Sequence, residues 1–229
     1  GGLNHFSILL HAKYKDSGKD GYPIIKQKFN EYYSDLVNDH EGFYSKPGAE
    51  RGVFFELYKQ YGYLPITTDS HLGEYLAWAY SVADHDGILD FYDNYKKRCL
   101  TYYENDSYHQ FFDMNDPEPH ERVIPIIENI VTDANALEHA VNITNDGFIE
   151  CLPKDIVVEV PAIINKSGIH GKKLDNYPKA FGTLLNSQVG AIQMTTEAVL
   201  SKSKQNAFHA LLADPVVDNA KAAASLLDT

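Results

Sequence analysis

Asn145-Asp146-Gly147-Phe148-Ile149, followed after Glu150-Cys151 by Leu152-Pro153-Lys154-Asp155-Ile156-Val157-Val158-Glu159-Val160-Pro161, decides the fold class. Asp146-Gly147 is a hairpin signal, because both residue types accept the left-handed backbone of a tight turn. Ile156, Val157, Val158 and Val160 are β-branched and suit a pleated, half-buried surface. Residues 142–172 therefore read as strand and turn. Most of the chain on either side reads as helix.

Upstream, the periodicity predicts a long helix over about 119–141, with Val123, Ile126, Ile127, Ile130, Leu137 and Val141 facing the core and Pro125 in its first turns. Downstream, residues 177–202 read as one long helix burying Phe181, Leu184, Leu185, Ile192 and Val199, with Gln188 a polar exception on that face. Two shorter helices follow, split by Asp214-Pro215.

The N-terminal part opens on a strand over 5–14, with Phe6, Ile8 and Leu10 on one face. A helix over 22–38 carries Pro23 in its first turn. A loop is expected over 39–48, and a helix over 49–61 ended by Gly62. Tyr63 to Thr68 is extended, and Asp69 or Ser70 caps a helix on which His71, Glu74, Tyr75, Trp78 and Val82 share a face. An aromatic-rich helix over 86–103 and a polar loop over 104–120 complete the pattern. The fold class is α+β: a helix-rich single domain with a small, mostly antiparallel sheet. No Gly-x-Gly-x-x-Gly occurs, so the chain carries no Rossmann fingerprint of its own.

The 229 residues carry a net charge of -12, which argues against nucleic acid and against an anionic membrane as partners. No apolar run is long enough to span a bilayer, and no basic n-region marks a signal peptide. Cys99 and Cys151 stand far apart without a Cys-x-x-Cys, pointing to a reducing, cytoplasmic setting and no zinc framework. Sixteen Tyr and eleven Phe suit a core and a subunit interface, with sugar stacking the sharper alternative for a few of them.

Three groups could carry chemistry. His5 sits beside Gly1, Gly2 and Asn4, where small neighbours allow close approach of a ligand; a plain hydrogen-bonded histidine is the alternative. Thr67 to Tyr75 brings an acid, an imidazole and a phenol together, although Asp69 could simply cap a helix. His71-x-x-Glu74 is not the His-Glu-x-x-His of zinc proteases. Arg51 is either solvated or a fork for a sugar carboxylate.

Gly2-Leu3-Asn4-His5-Phe6, the Asn145–Pro161 stretch and Ala210-Leu211-Leu212-Ala213-Asp214-Pro215 resemble the C-terminal half of the glycoside hydrolase family 4 enzymes, over nearly the whole chain. The resemblance implies an NAD- and Mn2+-dependent glycosidase acting on an α-glucoside or α-galacturonide by oxidation and elimination. It implies a fold similar to the C-terminal domain of lactate and malate dehydrogenases. His5 would be the histidine ligand of the divalent metal. Asp69 would be the base that removes the sugar C2 proton, with Tyr75 and then Tyr63 next in line. Asn4, His71 and Arg51 would contact substrate. The implied partners are the sugar, an N-terminal Rossmann domain that holds NAD and a metal-binding cysteine, and further copies in a homodimer or homotetramer. Neither Cys99 nor Cys151 has the family's Cys-Asn-x-Pro context. Gly168-Ile169-His170-Gly171 and Lys173 to Pro178 depart from the family pattern. Two other readings are a domain of a malate- or lactate-type dehydrogenase and a non-catalytic oligomerisation or binding module.

Overall fold

Ile156 to Val160 leads into the strand on which the sheet is built. In a computed structural model, which describes residues 1–37, 48–104 and 122–228, strand β5 (Val157–Asn165) pairs with three others. Strand β4 (Ala136–Thr144) runs along one edge, while β1 (Gly2–Leu3) and β6 (Gly168–Gly171) share the opposite edge. Strand β2 (Phe6–Leu9) joins β1, and β3 (Leu64–Pro65) joins β2, giving the order β3-β2-β1-β5-β4 with β6 branching from β5. Every one of these pairings is antiparallel.

Pro161 lies in the middle of β5, where it can donate no ladder hydrogen bond. The register with β4 shifts between Glu138 and Val141, opposite Pro161, and this bulge absorbs the missing donor. Around it Val158, Val160, Ala162 and Ile164 are fully buried at alternate positions, the period a strand requires.

Helices cover the sheet. They are α1 (Tyr22–Val37), α2 (Gly52–Tyr61), the single turn α3 (Asp69–Leu72), α4 (His85–Glu104), α5 (Val123–Val131), α6 (Lys179–Asn186), α7 (Val189–Ser201), α8 (Lys204–Ala213) and α9 (Ala220–Leu227). The main core joins Phe6 and Ile8 of β2, Val53 and Leu57 of α2, Val158 and Val160 of β5, and Phe181 and Leu185 of α6. A smaller one seats Ile126 and Ile130 of α5 against Val141, Ala162 and Ile164. Several aromatics pack α1 on α2: Phe29 stacks on Tyr58 with centroids 3.5 Å apart, and Tyr33 meets Phe55 at 4.5 Å.

Four expectations are corrected. The helix begun at Asp69 or Ser70 does not run on through Val82: α3 starts behind Thr68 and ends at Leu72, a separate 3₁₀ turn spans Ala77–Ser81, and Trp78 and Val82 are exposed. Residues 119–141 are not one helix: α5 ends at Val131 and β4 begins at Ala136, because Asp133 and Asn135 adopt positive φ values of 54° and 51° that stop the helix. Asp146-Gly147 does not close a tight hairpin, since a loop over 145–156 joins β4 to β5. The tight hairpin instead joins β5 to β6, where Asn165 pairs with Gly168 across Lys166-Ser167. Residues 177–202 are two helices broken at Ser187-Gln188, and Val199 faces solvent at 72% exposure. The loop expected over 39–48 lies outside the described residues apart from Gly48, and the loop over 104–120 apart from Glu104. Among the described residues no helix is long and apolar enough to cross a membrane.

Candidate active site

The two-residue turn between β1 and β2 consists of Asn4 and His5, flanked by the paired Leu3 and Phe6. His5 takes φ 60°, a left-handed conformation uncommon for a residue with a Cβ. Side chains from the segment after β3 hold it there. Thr67 Oγ1 donates to the His5 carbonyl at 2.7 Å, and the Tyr75 hydroxyl donates to the Asn4 carbonyl at 2.9 Å. The Tyr75 ring lies flat on Phe6, with centroids 4.8 Å apart and planes 4° from parallel. From below, Ser7 Oγ bridges the Leu3 carbonyl and the carboxylate of Glu159, at 2.8 Å to each. Gly2 is small to let the hairpin itself close: a Cβ there would come within 2.5 Å of the Phe6 carbonyl oxygen. The tightness expected around a ligand belongs to the backbone.

At the tip of this hairpin two imidazoles meet. His5 Nδ1 and His71 Nδ1 are 3.2 Å apart, one donating and the other accepting, with ring centroids at 4.2 Å and planes tilted by 59°. Glu74 Oε1 lies 3.9 Å from the same His71 nitrogen. Among the described residues no group of three or more His, Cys, Asp and Glu could hold a metal ion. The two imidazoles are therefore a partial set of donors. Beside them a cleft of about 730 Å³ opens between the hairpin and α7, bordered by Asn4, Tyr75, Asn142, Asp155, Gln193 and Glu197. Asn142 Nδ2 donates to Asn4 Oδ1 at 3.4 Å across its mouth.

Tyr75 is fixed from the far side by Gln188, whose side-chain amide donates to the Tyr75 carbonyl at 2.7 Å. This explains the polar exception on the buried face, because Gln188 is 4% exposed and its amide needs a partner. Burial pushes the Tyr75 phenol above its ordinary range, and the Glu74 carboxylate adds to the effect.

Asp69 is placed otherwise than the base role requires. It is fully buried, and its carboxylate accepts four backbone N–H bonds. Gly52 and Asp84 donate to Oδ2 at 2.8 and 3.0 Å, and Val53 and Phe54 donate to Oδ1 at 2.9 and 3.2 Å. Three of these donors are first-turn amides of α2, so Asp69 caps that helix from outside rather than its own. An ionised carboxylate has about four lone-pair sites, and the backbone takes them all. A Cβ at position 52 would meet the Val82 carbonyl oxygen at 2.0 Å, which is why a glycine stands there. Burial raises the Asp69 carboxyl above the usual range, against the pull of the four donors.

Arg51 also lies elsewhere. Its Nη1 donates to the Glu50 carbonyl at 3.1 Å and its guanidinium sits 5.6 Å over Phe54, both at the start of α2. Tyr63 packs edge-on against Tyr22 at 5.7 Å, with Lys26 over its ring. Asn145 is structural: fully buried, it donates to the carbonyls of Ile149, Leu152 and Pro153 and accepts from the Ile149 amide, which shapes the 145–156 loop. Glu50 was not legible in the sequence at all. It is fully buried at φ 56°, and its Oε2 accepts from the Ser70 amide at 2.9 Å. His5, Asn4, His71 and Tyr75 thus come together, and Asp69 and Arg51 serve the framework behind them.

Comparison with known proteins gives a family. The model of the Family 4 glycosyl hydrolase C-terminal domain matches residues 1–217. The chain is 40% identical, over an alignment 257 positions long, to an alpha-glucosidase of Erwinia rhapontici, covering 100% of this chain and 54% of that protein. It is 26% identical to an alpha-galacturonidase of Thermoanaerobacterium saccharolyticum, covering 94% of this chain and 48% of that one. Its fold matches a 6-phospho-alpha-glucosidase from gut microorganisms, solved in complex with NAD and Mn2+, at a TM-score of 0.72 and 22% identity, over 99% of this chain and 52% of the other. The chain spans about half the length of these relatives.

Proposed function

We propose that this chain, which belongs to the family 4 glycosyl hydrolases as their C-terminal domain, supplies one half of an α-glycosidase active site that uses NAD and a divalent metal such as Mn2+. The other half is a dinucleotide-binding domain of the same protein. The observation that carries the reading is the hairpin turn at Asn4-His5: it holds His5 in a constrained conformation, while its Asn4 borders the cleft together with the half-buried phenol of Tyr75. The 40% identity to an alpha-glucosidase favours an α-glucoside as substrate, with an α-galacturonide second. Family membership favours this reading over a hydroxy-acid dehydrogenase and over a non-catalytic module.

When bound, the dinucleotide would supply hydride chemistry at sugar C3, and the divalent ion would acidify the C2 proton of the oxidised sugar. This chain's residues do the rest. His5 would hold the ion, from a turn whose backbone Thr67 fixes. Asn4 offers its side-chain amide to a sugar hydroxyl across the cleft. Tyr75 is our candidate for the group that receives the C2 proton, since Asp69 is fully engaged as a helix cap. A phenol whose affinity for its proton is raised by burial is a poor base alone, so a nearby positive charge must bring it back into range. Gln188 keeps Tyr75 in register with Asn4. The chain is expected to work in the cytoplasm as a homodimer or homotetramer.

The test is an assay of the full-length protein on aryl α-glucoside and aryl α-galacturonide, with and without NAD and Mn2+. Turnover that needs both is the expected result. Hydrolysis that persists after NAD is stripped and metal chelated would sink the reading.

A further inference from the structure

We propose that His71 is a second protein ligand of the divalent ion, binding through Nδ1 beside His5 Nδ1. The inference rests on the functional reading above only for the presence of an ion, not for its geometry. Two imidazole nitrogens at about 2.1 Å from one ion are separated by about 3.0–3.4 Å when the angle between them lies between roughly 90° and 109°. The observed separation of 3.2 Å falls inside that window. It corresponds to an angle of about 100° at a shared ion. The rings are tilted by 59° rather than stacked.

The supports behind the pair point the same way. His71 lies in a four-residue helix too short to hold itself. Two fully buried acids support it: Asp69 binds three amides at the start of α2 and the amide of Asp84, and Glu50 accepts from the amide of Ser70, the residue before His71. On the other side His5 is held at φ 60° with its carbonyl tied to Thr67. Two rings on separately anchored segments, fixed at ligand spacing, constitute a preorganised site. Glu74 at 3.9 Å from His71 Nδ1 adds negative charge beside the position the ion would take. In the ion-bound state both Nδ1 atoms must present lone pairs, so each ring carries its proton on Nε2. Two nitrogens leave a shell that substrate oxygens and the other half of the protein complete.

The experiment uses the full-length protein with Mn2+ as the only added ligand. Free Mn2+ is followed by electron paramagnetic resonance during titration, and pulsed measurements on protein with 15N-labelled histidine count the bound imidazoles. Two imidazoles in the parent, and one in His71→Ala with affinity at least about tenfold weaker, are expected. One imidazole in the parent overturns the inference and leaves the functional reading intact. The same holds if His71→Ala binds Mn2+ within threefold of the parent while its KM for the glycoside rises, because His71 then contacts sugar instead. No Mn2+ binding by the parent overturns both. The count in the parent decides the matter even if the variant does not fold, and His5→Ala serves as the control that must lose affinity.

Discussion

Asp69 marks the difference between what a residue type suggests and what its neighbours make of it. An aspartate beside a histidine and a tyrosine reads as an acid–base group, yet its partners are amides brought from Gly52–Phe54 and from Asp84, and no local spacing reveals them. The consequence is testable. If Asp69 capped only its own helix, Asn would replace it at little cost. Because each oxygen faces two N–H groups, Asn must instead turn an NH2 onto two donors. Asp69→Asn should lose at least about 2 kcal/mol. In a protein of this size that is roughly 4–8 °C in melting temperature. A variant that melts with the parent would show that the cradle contributes little. Tyr75→Phe makes the complementary forecast: the ring still stacks on Phe6, so folding is retained, while kcat falls about 10²–10⁴-fold. Near-parental kcat in that variant would remove Tyr75 from the proton transfer. His5 and Asn4 were singled out by the family resemblance, and His71 and Tyr75 by the acid, imidazole and phenol of one short segment; the displacement of Arg51 and Tyr63 left no trace in the sequence, because contacts distant in sequence decide it.

Among the elements, the strand after Ile156 and the helices over Gly52–Tyr61 and His85–Glu104 followed from β-branching and helical spacing. The segment after α5 did not. Leu137 and Val141 stand four apart, a spacing that fits a helix face, but the bulge between Glu138 and Val141 offsets the strand's alternation, so that Val141 is buried while Leu137 faces out. The usable signal was Asp133-Ala134-Asn135, since Asp and Asn tolerate the left-handed backbone found there. The junction is held by Arg122 at the start of α5, whose Nε and Nη2 donate to the two oxygens of Glu138 at 3.1 and 2.9 Å. The hydrogen bonds from Arg122 hold the Glu138 carboxyl below its ordinary value. A lowered carboxylate stabilises the fold above its unfolded value, about 4.3, and loses that contribution as pH falls through the lowered folded value. Glu138→Gln should therefore melt below the parent at pH 7, and the gap should close on acidification below about pH 4. A gap that stays constant from pH 7 to pH 3 would show that the pair adds nothing to this junction.

At the scale of the whole molecule, the chain presents an antiparallel sheet whose β1–β2 turn holds Asn4 and His5, with buried acids in the segments packed around it. The α+β class was readable from the alternation of one β-rich stretch with helical flanks. That the sheet would gather β1 against β5, 157 positions apart at Gly2 and Glu159, was not, because such pairing leaves no local trace. The central claim is that this domain helps to remove a proton from sugar C2, rather than to place two carboxylates about a glycosidic bond as the common hydrolases do. The most direct measurement is turnover of an aryl α-glucoside by the full-length protein in D2O, with the released sugar examined for label. Deuterium at C2, dependent on NAD and Mn2+ and lost in Tyr75→Phe, is the expected outcome. Release of sugar with an unlabelled C2 at an undiminished rate would overturn the mechanism.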